Sequence, residues 1–181
     1  MMHTAANTPG SGPLVRFYRG AEPDSSGRFI GDIRKWDHER LERTHDYIQW
    51  LFPTRNRSRF NSSAPALDEE QIRDFQYDEG LQAELIASFR QMLDFYGFIL
   101  REDEGCLSVE RSPSCQARLQ NWLTPQNHNF LRITRILTSM RILGLAGHSG
   151  ALLAALEALY KEYPDVIGSR TIGFWRSASA R

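Results

Sequence analysis

His128, Arg132, Arg135 and Ser139 follow one another at i, i+4, i+7 and i+11. On a helix turning about 100° per residue, that spacing stacks them along one narrow stripe. Phe130, Ile133, Ile136, Leu137, Met140 and Leu143 share the opposite, broad apolar arc, while Leu131 and Ile142 flank the polar stripe. With apolar residues on both sides, the stripe is not expected to face open water. A guanidinium half sunk in such a surface needs carboxylate or carbonyl partners to offset its desolvation. The chemistry this implies is recognition of oxygen acceptors and anions, with arginine forks as the donors.

Other constellations carry less. Gly147-His148-Ser149-Gly150-Ala151 approximates the G-x-S-x-G nucleophile elbow with alanine in the last place, but an elbow sits between a strand and a helix, and here a helix precedes it. The stretch reads instead as a helix–helix connection in which Ser149 caps the following helix. His38 and His45 are seven residues apart, not the i, i+4 of helical metal pairs, and no third ligand accompanies them, so no metal is expected. No glycine-rich phosphate loop or nucleotide fingerprint is present, and no cofactor is expected. Arg55, Arg57 and Arg59 beside Phe60 form a basic loop able to grip phosphates, yet no net positive charge stands behind them and the loop reads as solvated. Asp46 and Trp50 lie one turn apart, away from the Leu41, Ile48 and Leu51 stripe. Two readings of Trp50 stay open: packing under the N-terminal chain, or an aromatic anchor for a ligand or partner.

The elements that must position these residues are helical. Asp37 caps a helix expected to run to about Leu51, ahead of Pro53. Asp68 opens a short helix to about Tyr77, and Leu81, Leu85, Ile86, Phe89, Met92, Leu93 and Tyr96 give the period of a longer one over 79–96, with Gly97 as its stop. Phe98 to Val109 pairs as a small hairpin or stays irregular. Ser112-Pro113 reads as the start of a helix to about Leu123, the opening stripe occupies a helix over 127–143 ended by Gly144, and a last helix spans 149–163 before Pro164, with TIGFWR (171–176) docking as a final turn. Phe17-Tyr18 and Phe29-Ile30 are apolar islands in an irregular N-terminal wrap. The expected architecture is all-α, a compact multi-helix single domain over 14–177, with tails at 1–13 and 178–181.

At 181 residues with 41% hydrophobic content, one domain with a sizeable core is expected. Twenty-two basic and 22 acidic residues balance, so no whole-molecule field draws the chain to nucleic acid, which is not the expected partner. Of the basic residues only Lys35 and Lys161 are lysines. Cys106 and Cys115 lack zinc-site spacing and suggest no secreted disulfide framework, which points to the cytoplasm. No apolar run approaches the roughly 20 residues of a transmembrane helix, and MMHTAANTPGSGP lacks the apolar core of a signal peptide.

Two long stretches, HDYIQWLFP (45–53) and NHNFLRITRILTSMRILGL (127–145), resemble the conserved region of the opioid growth factor receptor family. Phe17-Tyr18, Pro23-Asp24, Trp36-Asp37, Phe60-Asn61, Ala64-Pro65 and Met92 to Gly97 agree, so the resemblance covers roughly residues 14 to 177. It implies an α-helical, non-enzymatic protein. Animal members of that family are described as receptors for an enkephalin-type opioid peptide, nuclear or membrane-associated and unlike the seven-helix opioid receptors. Ending close to the conserved region, this chain is expected to be a short, tailless, microbial member.

Joining the two stretches gives an expected site. Asp46, with Asp37 or Asp94, should lie near Arg132 and Arg135, and Asp46, Tyr47, Trp50, Asn127, His128, Arg132 and Arg135 form the expected ligand-binding set for a peptide or small anionic ligand. The alternative is a protein-interaction or nucleic-acid-associated module in which the same polar cluster satisfies itself and only fixes packing.

Overall fold

The computed structural model describes residues 12–57 and 61–180. Among them the element order is α1 (Pro13–Tyr18), α2 (Ile30–Ile33), α3 (His38–Arg43), α4 (Ile48–Leu51), α5 (Glu69–Tyr77), α6 (Glu79–Tyr96), β1 (Phe98–Asp103), β2 (Cys106–Arg111), α7 (Cys115–Trp122), α8 (Asn129–Ile142), α9 (Ala146–Glu162) and α10 (Pro164–Ser179). The fold is thus all-α with one hairpin. The first eleven residues of the expected tail, and Arg59 and Phe60 of the basic loop, lie outside the described residues.

Local signals explain most boundaries. Asp37, Asp68 and Asp78 each accept a backbone N–H three residues on, from Arg40, Gln71 and Leu81, and so open α3, α5 and α6. Gly97 closes α6 with φ 89° and Gly144 follows α8 with φ 93°, left-handed positions where a Cβ is strained. Of the two readings of 98–109, the hairpin is the one formed: β1 and β2 pair antiparallel with Leu100 opposite Val109, and Glu104 and Gly105 turn between them at φ 50° and 81°.

The core is one cluster. Phe89, Leu93, Tyr96, Ile133, Leu137, Leu156 and Trp175 are all buried within it. Indole N–H groups tie its layers to backbone: Trp122 Nε1 donates to Tyr96 O at 3.1 Å and Trp175 Nε1 to Phe130 O at 3.1 Å. β2 and α10 both pack on α9, and α8 packs on α9 and α10.

Five parts of the chain differ from the sequence reading. The helix expected over 37–51 is two short helices, because Thr44 leaves helical geometry at ψ 130°. α7 begins at Cys115, since Pro113 and Ser114 form a turn ahead of it. α9 starts at Ala146, so Ser149 is not a cap: it is enclosed within the helix and its hydroxyl donates to Leu137 O at 3.0 Å. The last segment, Pro164–Ser179, is helical on both sides of Gly168 rather than a final turn. Gly168, at φ 77° and ψ 150°, leaves helical geometry and divides the segment into two helical pieces across a kink, with Ile167 buried before the break and Ile172, Trp175 and Ala178 buried after it. The N-terminal wrap likewise contains two short helices, α1 and α2, whose Leu14, Val15, Phe17, Tyr18, Ile30 and Ile33 are all buried.

Gly97 gives the sharpest test of this frame. A Cβ there would stand 2.8 Å from Cys115 Cα, on top of the positive φ. Gly97→Ala should therefore cost about 1–3 kcal/mol, read as a lowered urea midpoint with unchanged m-value.

Candidate functional site

Where α3 stops, its last carbonyls lose their helical partners, and a helix C-terminus carries partial negative charge. Arg132, on the second turn of α8, fills that gap. Its Nη1 donates to Leu41 O at 3.1 Å, and its Nη2 to Glu42 O at 3.2 Å and Thr44 O at 2.8 Å. Nη1 also reaches Asn129 Oδ1 at 3.3 Å, Nη2 reaches His45 Nδ1 at 3.2 Å, and the Glu42 carboxylate lies 3.8 Å away. The guanidinium stacks 5.6 Å from the Tyr47 ring centroid. At 5% exposure this is a buried cation with both terminal nitrogens hydrogen-bonded.

Arg135 stands one turn further and meets the next helix end. Its Nη1 donates to Phe52 O, at the close of α4, at 3.1 Å and to Thr54 Oγ1 at 3.4 Å. Among the described residues no carboxylate pairs with it. Desolvation alone pulls its guanidinium below the ordinary arginine value, the mark of a charge without a counter-charge. Ser139, last of the stripe, is fully buried with its hydroxyl unpartnered among the described residues.

Both arginines line a cleft of about 450 Å³ between α8 and the 45–56 segment. Its walls hold Ile48, Gln49, Thr54, Thr134 and Thr138, and Leu131 stands at 61% exposure on its edge. His45 and His128 occupy one end, with ring centroids 5.1 Å apart, and His128 Nε2 lies 3.3 Å from Glu42 Oε1. Desolvation, then Arg132, and last His45 push the His128 pKa down, against the pull of Glu42.

The expected site set divides. His128, Arg132 and Arg135 line the cleft; Asp46, Tyr47, Trp50 and Asn127 do not. Asp46 does not approach the α8 arginines: it is held by Arg28 and Ser26, both at 2.8 Å, and the arginine holds its carboxyl below the usual range against the effect of burial. Asp94 pairs with His38 at 2.7 Å and Asp37 is spent capping α3. Tyr47 is fully buried and donates to Leu41 O at 3.2 Å, which braces the carbonyl Arg132 also uses. Trp50 is buried against Phe17 of α1 at 5.2 Å, the packing reading rather than the anchor. Asn127 Oδ1 accepts from Asn129 N at 2.9 Å and so secures the start of α8.

Glu42, His45, Asn129, Thr54 and Leu131 belong to the cluster or cleft and were not in the expected set. Glu42 and His45 carried no signal while the helix was read as continuous, because its break is what turns them toward α8. Leu131 did carry one, as an apolar residue beside the polar stripe. Two other hollows offer less. One of about 560 Å³ holds Arg19 and Arg34, but Asp78 and Glu84 already pair with them. Another of about 480 Å³ surrounds Trp36, over whose ring Arg28 and Arg40 stack at 5.4 and 4.3 Å.

Fold and site together define a helical protein with an arginine-lined cleft between an early segment and a late helix. Comparison with known proteins makes this specific: residues 14–176 match the family model of the opioid growth factor receptor (OGFr) conserved region. The chain belongs to that family. It is 41% identical over 134 residues to opioid growth factor receptor-like protein 1 of Xenopus tropicalis, covering 72% of this chain and 25% of the relative. The opioid growth factor receptor of Homo sapiens is 41% identical over 140 residues, 75% of this chain and 20% of that protein. The Mus musculus receptor-like protein 1 is 36% identical over 143 residues, covering 77% and 30%. The match thus spans less than a third of the length of these relatives, and their names are those of receptors. No solved structure matches the chain. No helix among the described residues is long and apolar enough to cross a membrane.

Removing Arg132 would take its donors from the Glu42 and Thr44 carbonyls, leave Leu41 O to Tyr47 alone, and leave the Glu42 carboxylate without its arginine. Arg132→Met should lower unfolding free energy by about 3–5 kcal/mol in urea titrations, with Arg132→Lys in between, because one ammonium cannot reach all the acceptors. Acid should also weaken the fold. Burial lowers the pKa of His148 as well as of His128, so below the ordinary histidine value of 6.5 the unfolded chain binds more protons than the folded one. Stability from these groups is complete above that value and is lost as pH falls through their lower folded values. The thermal midpoint should drop from pH 7.5 to 5.5, by roughly half as much in the His128→Gln, His148→Gln double variant.

Proposed function

We propose that this chain is a non-enzymatic, receptor-like binding protein that takes a peptide or small anionic ligand in the cleft between α8 and the 45–56 segment. One observation carries the reading: Arg135 presents a half-buried guanidinium to that cleft with only a carbonyl and a hydroxyl as acceptors among the described residues. A desolvated cation without a counter-ion costs folding free energy, and a ligand anion restores the balance. Arg132 holds the cleft floor, His128 stands at its end, and Tyr47, Asn127 and Asp46 act by positioning the two walls. The receptor names of the relatives support a binding role, and the free cysteines Cys106 and Cys115 fit action in the cytoplasm. Nucleic acid is less favoured, since Arg55 of the basic loop is paired with Glu69.

Arg135→Gln separates binding from folding. The variant should melt within about 3 °C of wild type or above it, because it deletes an uncompensated charge. In a screen of short peptides and anionic metabolites, a ligand at a hundred times its Kd should add about 2.7 kcal/mol to the wild type. That appears as a rise of roughly 5–10 °C in melting temperature, and Arg135→Gln should not show it. A panel in which nothing shifts the wild type, or in which the shift survives in Arg135→Gln, would overturn the proposal.

A further inference from the structure

Resting on the cleft reading above, we infer that the occupant is a small organic monocarboxylate with an apolar body, selected over phosphates by a single open guanidinium edge. The charge count in the lining leads there. Its ionisable residues are His45, His128, Arg132 and Arg135. Arg132 is balanced by Glu42 and three carbonyls. An arginine only donates, so the 3.2 Å contact from Arg132 Nη2 makes His45 Nδ1 an acceptor and leaves its proton on Nε2. Burial and Arg132 disfavour the charged form of His128. One uncompensated positive charge remains, that of Arg135.

Donor supply narrows the class further. Thr134 and Thr138 donate their hydroxyl protons to Phe130 O and Thr134 O, at 3.0 and 2.9 Å, and Thr54 donates to Asn56 O at 3.1 Å. Gln49, with its amide nitrogen turned toward them, donates to His45 O and Asp46 O at 3.3 and 3.2 Å. The lining contains no lysine and no glycine-rich nest, and its remaining donors, the Asn56 amide and the histidine N–H groups, add hydrogen bonds but no balancing charge, so a phosphate dianion would keep one negative charge unpaired. Among the described residues Arg135 uses only Nη1, for Phe52 and Thr54, which leaves them no claim on the Nε and Nη2 edge, the geometry that holds one carboxylate in a bidentate pair. Beside it lie Ile48, exposed Leu131 and the threonine methyl groups, an apolar berth for the rest of the molecule.

Titration calorimetry of the full chain at pH 7.5 tests this with hexanoate, phenylpropanoate, phenylpropanamide, phenyl phosphate and inorganic phosphate. The two carboxylates should bind, the amide and both phosphates at least about tenfold more weakly. Arg135→Gln should weaken the carboxylates by roughly 10- to 100-fold. Leu131→Glu, a change at an exposed position that leaves folding intact, should do the same by placing a like charge at the berth. Tighter binding of either phosphate, or equal binding of acid and amide, overturns the monocarboxylate class. If the carboxylates fail while a peptide still raises the melting temperature in an Arg135-dependent way, this inference falls and the cleft reading stands. If no ligand binds at all, both fall.

Discussion

A guanidinium from α8 closing the C-terminus of α3 is the interaction on which the arrangement depends. The Arg132 bonds to the 41–45 segment span 87 to 91 residues of sequence, so one side chain joins an early and a late part of the chain. It also resolves two costs at once. A buried arginine needs acceptors, and a helix that ends inside a protein needs donors for its final carbonyls. Neither half is tolerable alone. Tyr47 donating to Leu41 O, Asn129 offering its amide oxygen and Glu42 supplying the charge turn a mutual requirement into a fixed geometry.

The same logic, left incomplete one turn later, gives the molecule its candidate site. Arg132 and Arg135 each receive a carbonyl at the end of a short helix, α3 and α4 respectively. Arg132 is enclosed by further acceptors, whereas Arg135 opens on the cleft. On the proposed reading, two arginines three residues apart divide the labour: one supplies packing register, and the other keeps an unsatisfied demand that a ligand can meet. Regions that trade stability for binding commonly have this character.

Much of this was legible in the residues. The 3.6-residue period of α6, its Asp78 and Gly97 boundaries and the all-helical class follow from local rules that tertiary packing reinforces. The polar stripe of α8 was legible too, as was its need for carboxylate or carbonyl partners. Which partners was not legible. A continuous helix over 37–51 points to Asp46 as the acid beside α8, whereas the break at Thr44 leaves Asp46 with Arg28 and Glu42 with Arg132. That break has no breaker residue to announce it: Thr44-His45 contains neither glycine nor proline, and the geometry is stabilised by an arginine some ninety residues away. α10 shows the converse: TIGFWR reads as a final turn, but buried Ile172 and Trp175 hold the chain after the Gly168 kink helical.

Guanidinium-resolved NMR on the nitrogen- and carbon-labelled chain addresses the α3–α8 junction directly. Arg132 should give distinct, slowly exchanging Nη protons with couplings across hydrogen bonds to the carbonyl carbons of Leu41 and Thr44. A single averaged, rapidly exchanging Nη signal for Arg132, like that expected of exposed Arg57, would contradict the account.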